Sequence, residues 1–391
     1  MKILPVVVMF ALVCVHARAQ VNSGSNGSDG ALDFSNITFT TNIVINMADH
    51  PNGIYQYTYV NIPTNVTMTF IPNANNSPVT WLVQNNVVIN GIVNVTGQNG
   101  SYGGPGGQAG PGGWQGGNGA PSYTSGQGPG GGSAGDYGSG TVCSASYGTF
   151  SSSPNPPPKY GNIFLIPLLG GSGGGGCTNT PLSGGGGGGA ILIAAVGSIG
   201  NSGMISANGG GPGSASYVGT AGGGSGGAIR LVATQINGNG ILTASGGYEN
   251  GFSGGQGRVR FDTYQNNFSG GINGVFTQGS QFVVIPSAGQ LPQLIVTSVG
   301  GIPVSASPTG QVITPDAVLS AQQNNPIPIV VSCANLPLNT QITVSVKPAN
   351  GAAVSVTGYN TTGTLASSMA TISINIPRGG GLIYATAATG N

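Results

Sequence analysis

The stretch that decides the fold is GAILIAA at residues 189–195, because the chain repeats it. It returns as GAIRLVA at 227–233 and, more loosely, as GRVRFDT at 257–263. The first two copies continue into a second matching piece, IGNSGMISANGG at 199–210 and INGNGILTASGG at 236–247. A repeated unit of about 30–38 residues that contains short strands is typical of a stacked fold in which each unit packs on its neighbours.

Alternate residues within each copy are apolar, which predicts strands with one face turned to the interior. Stacking the copies predicts two interior ladders, Ile191-Ile229-Val259 and Ile193-Leu231-Phe261. Arg230 and Val232 then face outward. Because every copy turns the same face inward, parallel coils fit the pattern better than hairpins. The sequence therefore predicts an all-β protein built on a parallel β-solenoid, similar to a β-helix.

Composition divides the chain into five parts. They are a signal peptide at 1–19, N-terminal solenoid strands at 20–97, a glycine-rich low-complexity insertion at 98–189, solenoid repeats at 190–290 and an Ig-like β-sandwich at 291–391. The last part rests on alternating apolar runs separated by turn residues, over about 100 residues.

The first residues predict export. Lys2 precedes an apolar stretch at 3–15 that is too short to span a bilayer, and Ala17-Arg18-Ala19 forms a small-x-small cleavage site. Cleavage would leave Gln20 as the new N-terminus, and the bulky residue before Cys14 disfavours lipidation. No later stretch reaches about 18 apolar residues, so we predict a secreted, extracellular or cell-surface protein without a membrane span.

Charge is scarce in this chain. Of 391 residues 75 are glycine, whereas eight are Lys or Arg and seven are Asp or Glu. Without a basic stripe to neutralise phosphates, nucleic acids and anionic membranes are poor partners. A neutral polar surface does little to oppose self-association by charge repulsion, so we expect the chain's main partner to be itself, as a homo-polymer.

The glycine-rich insertion leaves two structural alternatives open. It either forms a mobile loop or packs as extended, polyproline-II-like segments in which glycine lets backbones approach. Its aromatic residues, Trp114 among them, either stack on sugars or pin the segment to the body, and pinning fits better.

Three cysteines remain after cleavage. Cys143 and Cys177 flank a proline-rich stretch, and in an oxidising compartment they predict a disulfide. Cys333 is in step with the apolar positions 327, 329 and 331, which predicts a buried free thiol.

The sequence offers no catalytic residue, cofactor-binding residue or metal ligand, and no cofactor is expected. His50 lies in a turn without a nucleophile, and the seven carboxylates are too sparse for a clear glycosidase pair. Arg230, Arg260 and Asp262 share the outward face of adjacent repeats. An ion cluster is the simpler interpretation, and a weak site for an acidic glycan, with Trp114 as a further contact, is the alternative.

Eight Asn-x-Ser/Thr sequons are weak candidates for glycosylation. They lie at Asn26, Asn36, Asn65, Asn75, Asn94, Asn99, Asn267 and Asn360.

The pattern GGGGAILI at 186–193, followed by GMISANGG at 203–210, resembles glycine-rich secreted proteins of environmental bacteria, especially acidobacteria-like ones. The tail from 291 onward resembles an Ig-like module found on such proteins. The resemblance implies parallel β-helical units and an extracellular surface role, and it supplies no catalytic residues.

These patterns predict an exported, non-enzymatic structural protein of the cell surface or matrix that assembles into fibres. The alternatives are a carbohydrate-binding adhesin and a polysaccharide-degrading β-helix enzyme.

Overall fold

The computed structural model describes residues 21–136, 142–215, 219–249, 252–284, 292–305, 308, 314–349 and 352–388. Within these ranges the protein is all-β, with one short 3-10 helix at Met47–Asp49. The predicted signal peptide and the predicted terminus at Gln20 lie outside the described residues. In the described part of the chain, no helix is long and apolar enough to cross a membrane.

Two parallel sheets run through the repeats. Sheet A consists of β1 (Gly30–Asp33), β3 (Ile54–Ile62), β5 (Val79–Val83), β6 (Val87–Ile89), β8 (Ala190–Asn201), β12 (Ala228–Gly238), β16 (Arg258–Phe268) and β18 (Val275–Gly279). Sheet B consists of β2 (Thr41–Asn46), β4 (Val66–Ile71), β7 (Ile92–Asn94), β9 (Met204–Ser206), β13 (Ile241–Thr243) and β17 (Gly271–Asn273). The chain alternates between the sheets, with β5 and β6 together occupying one level of sheet A.

The strand register confirms both predicted ladders. Ile229 lies opposite Ile191 on one side and Val259 on the other. The second ladder is Ile193-Leu231-Phe261. All six side chains are completely buried in one core shared by sheets A and B. The period of two in the sequence therefore fixed which residues face inward, because a shift of one residue would turn the apolar set to the other face.

The opposite face of sheet A is covered as well, which the sequence did not predict. Leu82, Leu192 and Val232 on that face pack with Val21 and Val284. Val232 faces away from the main core as predicted, but it is buried in this second cluster.

Residues 21–30 contribute to that cover, although a segment so rich in Ser, Gly and Asn is typical of a loose chain. The N–H of Val21 donates to Thr234 Oγ1 at 3.3 Å, and the N–H of Asp29 donates to the carbonyl of Gln56 at 2.9 Å. The segment is thus held on its own chain by apolar and hydrogen-bonding contacts.

The glycine-rich region packs through its backbone. Between β7 and β8 the described residues form isolated bridges only, at Tyr102↔Leu182 and Gly135↔Cys177. Yet the six successive N–H groups of residues 184–189 donate to three neighbouring segments in turn, and the order of the segments repeats after three residues. The donor–acceptor pairs are Gly184 to Gly117, Gly185 to Gly222, Gly186 to Gln98, Gly187 to Trp114, Gly188 to Ser225 and Gly189 to Val95.

A period of three residues is that of the polyproline II helix, which has no internal hydrogen bonds and three residues per turn. Residues 171–176 show the same rotation: Gly171 and Gly174 donate to Gly188 and Gly185, and Gly173 and Gly176 donate to Gln127 and Thr124. The hydrogen bonds therefore favour the packed, polyproline-II-like alternative over a mobile loop.

Glycine is required where these segments touch. A Cβ atom added to Gly174 would lie 2.0 Å from the carbonyl oxygen of Gly222, and one added to Gly187 would lie 1.9 Å from that of Gly171. Backbone atoms cannot move away as a flexible side chain can. The abundance of glycine is thus explained by close packing of backbone on backbone.

Two short hairpins lie in later connections from sheet B to sheet A. They are β10 (Ser214–Ala215) with β11 (Gly219–Thr220), between β9 and β12, and β14 (Tyr248–Glu249) with β15 (Phe252–Ser253), between β13 and β16.

The C-terminal part forms two antiparallel sheets around its own core. One consists of β20 (Ile302–Pro303), β19 (Gln293–Val299), β21 (Ile327–Ala334), β25 (Ser368–Ile374) and β24 (Thr362–Gly363). The other consists of β23 (Val354–Tyr359), β22 (Gln341–Pro348) and β26 (Gly381–Ala388). Cys333 is a buried free thiol in this core, as its position in the alternating run predicted.

The C-terminal sheets contact the glycine-rich region through Lys347 and Tyr384. Lys347 Nζ is buried and donates to the carbonyl oxygens of Gly128, at 3.3 Å, and Gly131. The N–H of Gly128 donates to Tyr384 Oη at 3.0 Å. Burial lowers the pKa of Lys347 to about 7.

Candidate functional site

The outward residues Arg230, Arg260 and Asp262 form one buried ion cluster. Arg230 and Arg260 lie on β12 and β16 in direct register, and Asp262 is two residues beyond Arg260. Arg230 Nε donates to Asp262 Oδ2 at 3.1 Å, and Arg260 Nη2 donates to Asp262 Oδ1 at 2.6 Å. The exposed fractions are 1% for Arg230, 3% for Arg260 and 0% for Asp262.

Backbone atoms complete the hydrogen bonding of this cluster. Arg230 Nη2 donates to the carbonyls of Gln281 and Val283 at 2.7 and 3.1 Å, and the N–H of Gln281 donates to Asp262 at 2.9 Å. Burial lowers the pKa of Arg230, while the neighbouring carboxylate opposes that shift. The segment after β18 thus lies over the charges, and the candidate glycan contacts Arg230, Arg260 and Asp262 are closed to a ligand. The ion-cluster interpretation agrees with this geometry.

Trp114, the fourth candidate glycan contact, is half-buried. Its ring meets Tyr160 edge-on at a centroid distance of 5.7 Å, beside the buried cluster that contains Tyr147 and Leu165. This placement agrees with a pinning role for Trp114 in the glycine-rich region.

Cys143 and Cys177 are buried thiols, so the structure does not contain the disulfide predicted between them. Cys143 Sγ donates to the carbonyl of Asn155 at 3.4 Å, whereas Cys177 packs with Leu182 and Ala221. The two thiols therefore have different surroundings, although both lie in the glycine-rich region. Burial raises the pKa of each thiol.

The sequons differ in access. Asn360 is buried, and its Nδ2 donates to Pro337 and Ser368, so the folded chain leaves no room for a glycan there. Asn65 Nδ2 is likewise engaged, by the carbonyls of Ile37 and Phe39. The other six candidates are Asn26, Asn36, Asn75, Asn94, Asn99 and Asn267, and glycosylation at these sites stays a prediction.

His50, considered for a catalytic triad, pairs with Asp29 rather than its sequence neighbour. The distance from Nε2 to Asp29 Oδ1 is 3.3 Å, and the imidazole stacks on Tyr55 at 4.1 Å. In the described part of the chain, no three His, Cys, Asp or Glu residues group as metal ligands.

A groove that the sequence analysis missed lies where the chain leaves sheet B for the glycine-rich region. Its volume is about 380 Å³, within the range of about 300–1,000 Å³ that ligand clefts have. The residues that line it are Asn99, Ser101, Asn208, Ser245 and Tyr248, together with Pro212 and glycines. We call it the Asn99/Tyr248 groove.

The register of sheet B places this groove across three successive levels. Asn94, Ser206 and Thr243 are paired neighbours on β7, β9 and β13. Five residues further along each chain segment lie Asn99, Gly211 and Tyr248. Neighbouring strands are about 4.8 Å apart, so Asn99 and Tyr248 are about 10 Å apart with Gly211 between them.

The two asparagine amides are held by their oxygen atoms. Asn99 Oδ1 accepts from the N–H of Gly211 at 2.8 Å. Asn208 Oδ1 accepts from the N–H of Ser245 at 2.8 Å and from Thr243 Oγ1 at 2.7 Å. Within the described residues neither Nδ2 donates a hydrogen bond, so both amides keep a donor for a ligand.

Tyr248 is the one aromatic residue among those that line the groove. Its side chain is 66% exposed at the start of the hairpin β14–β15. Asn99 entered the sequence analysis only as a sequon, and Asn208 and Tyr248 did not enter it. The signal that could have found them is their equivalent or adjacent position on successive repeats.

No family model, curated protein or solved structure matches this chain.

Proposed function

We propose that this is an exported, non-enzymatic structural protein of the cell surface or extracellular matrix. In this proposal sheets A and B form a short parallel β-solenoid with a glycine-rich flank, the C-terminal sheets form an Ig-like β-sandwich, and copies assemble end to end into fibres. Export rests on the N-terminal sequence, and the resemblance to secreted bacterial proteins agrees with it.

The observation that carries the assembly proposal is the state of the sheet ends. Sheet A ends in β1 and β18, and sheet B ends in β2 and β17. Within the part of the chain that the structure describes, each of these four strands pairs on one side only, which leaves a row of backbone donors and acceptors for another chain.

Apolar residues at both ends support the same proposal. At one end Leu32, Ile43 and Ile45 pack against the main core but stay partly exposed. At the other end Ile272 is partly exposed, and Phe276 is 40% exposed. A second copy that continued both parallel sheets would bury these residues and pair the free edges.

The end strand β2 lacks the residue types that commonly prevent an edge strand from pairing with another chain. Its sequence, TNIVIN, contains no charged residue and no proline. Monomeric proteins commonly protect such an edge with charges, proline or a covering segment.

A proline at Val44 tests the proposal. The N–H of Thr41 donates to the carbonyl of Asn65, the residue before β4. In this parallel pair the N–H groups of Thr41, Ile43 and Ile45 therefore point to β4, and that of Val44 points to the free edge. Val44→Pro removes that outward donor without removing a bond to β4. Val44→Thr is the matched control.

We expect the wild type and Val44→Thr to form filaments in negative-stain micrographs, with a rising mass in light scattering. Val44→Pro should remain monomeric with an unchanged melting temperature. A wild-type monomer at micromolar concentration, or filaments in Val44→Pro, would contradict end-to-end pairing.

A polysaccharide-degrading activity has less support. It requires two accessible carboxylates about 5–9.5 Å apart. Asp262, one of the two carboxylates on the strands of sheet A, is buried between two guanidinium groups and cannot reach a substrate.

A further inference from the structure

We propose that the Asn99/Tyr248 groove binds a neutral sugar unit of a glycan. This inference goes beyond the structural role and does not rest on assembly, because every lining residue belongs to one chain.

The lining selects for neutral ligands. Asn, Ser, Gly, Pro and Tyr line the groove, and none of the side chains that line it carries a charge at neutral pH. A phosphate or carboxylate would lose hydration without gaining a cation. A hydroxyl-rich ligand instead exchanges its bonds with water for bonds with amides and hydroxyls.

The donors match sugar hydroxyls and ring oxygens. Asn99 and Asn208 each present an Nδ2 group while Oδ1 is fixed by the protein's own donors. An amide fixed at one end loses little rotational freedom when it binds, which favours affinity. Ser101 and Ser245 add hydroxyl groups that can donate or accept.

Tyr248 provides the surface on which a pyranose ring packs. The C–H groups of one face of a pyranose carry partial positive charge, and the face of an aromatic ring is negative. A tyrosine that is two-thirds exposed beside free amide donors is suited to this contact.

Gly211 keeps the groove open. An added Cβ at this position would have Asn99 Oδ1 at 3.4 Å as its nearest neighbour, which is an ordinary contact. The backbone therefore does not require glycine here, in contrast to Gly210, where the added Cβ would lie 1.9 Å from the carbonyl oxygen of Gln98. A larger residue at 211 would fill the space between Asn99 and Tyr248.

Two variants and one control test the proposal. Tyr248→Ala removes the stacking surface, and Gly211→Leu fills the groove. Tyr102→Ala removes an aromatic ring of similar exposure that does not line the groove. The full chain is screened on an array of neutral and acidic oligosaccharides, and hits are titrated as free sugars by calorimetry. The same titration on Val44→Pro separates binding from assembly.

We expect binding to neutral oligosaccharides that weakens at least tenfold in Tyr248→Ala and in Gly211→Leu and is unchanged in Tyr102→Ala and Val44→Pro. The proposal is overturned if no neutral glycan binds, if only acidic ones bind, or if both groove variants bind like the wild type.

Discussion

Alanine substitutions at two adjacent glycines should show whether a glycine is needed for close backbone packing or only reflects the composition of the region. At Gly210 an added Cβ would lie 1.9 Å from the carbonyl oxygen of Gln98, and at Gly211 the nearest atom would be Asn99 Oδ1 at 3.4 Å. The two substitutions are chemically identical and one residue apart. Gly210→Ala must push two backbone segments apart, and Gly211→Ala need not move either.

The expected cost follows from overpacking a site that cannot relax by side-chain rotation. We expect Gly210→Ala to lower the free energy of unfolding by about 3 kcal/mol. At about 2–4 °C per kcal/mol, the melting temperature should fall by about 6–12 °C. Gly211→Ala restricts the unfolded chain without strain in the native one, so it should gain about 0.4–1 kcal/mol.

Thermal unfolding followed by circular dichroism and calorimetry measures both values on the full chain. Equal melting temperatures for the two variants would refute the reasoning, because composition alone would then account for glycine at both positions.

Four further outcomes are expected. Burial lowers the pKa of Lys347 to about 7 in the folded chain, from 10.5 in the unfolded one. Between these two pH values the amine is protonated in the unfolded chain and mostly neutral in the folded chain. The stability of the wild type relative to Lys347→Met should therefore rise by up to about 1.4 kcal/mol per pH unit across that window, and a flat difference in denaturant unfolding would contradict this. Asp262→Asn leaves two buried guanidinium groups without their carboxylate and should cost about 3–5 kcal/mol, whereas the exposed Asp49→Asn should change stability by less than about 0.5 kcal/mol. Cys333 should react with a thiol reagent only as fast as the native protein unfolds, since its side chain is completely buried, and fast labelling would place it at the surface. Mass spectrometry of the exported protein should show a chain that begins at Gln20, and any other terminus would contradict the predicted cleavage.

The interior of the repeats could be predicted because it depends on alternation alone. Ile191, Ile229 and Val259 lie in one ladder because each is two residues after the leading glycine of its copy, at a position that the alternation turns inward. The cover on the outer face could not be predicted in this way. Val21 and Val284 are far from Val232 in sequence and carry no periodic signal.

The candidate sites were harder to predict. Arg230 and Asp262 were placed correctly next to each other, but their burial depends on a segment that crosses them after β18. The Asn99/Tyr248 groove escaped notice since it is made of an asparagine, a glycine and a tyrosine at equivalent positions, and unlike residues leave no visible repeat. Lys347 gave no sign of burial either, because its partners are backbone carbonyls.

The rotation of donors along residues 184–189 has a consequence for how such a sequence can change in length. One inserted residue would turn every later N–H by about 120° about the segment axis, away from its acceptor and toward a different neighbour. Three inserted residues would restore the original direction. Glycine runs in this region can therefore lengthen or shorten in steps of three residues, because only such steps keep every later N–H pointing toward the same neighbouring segment.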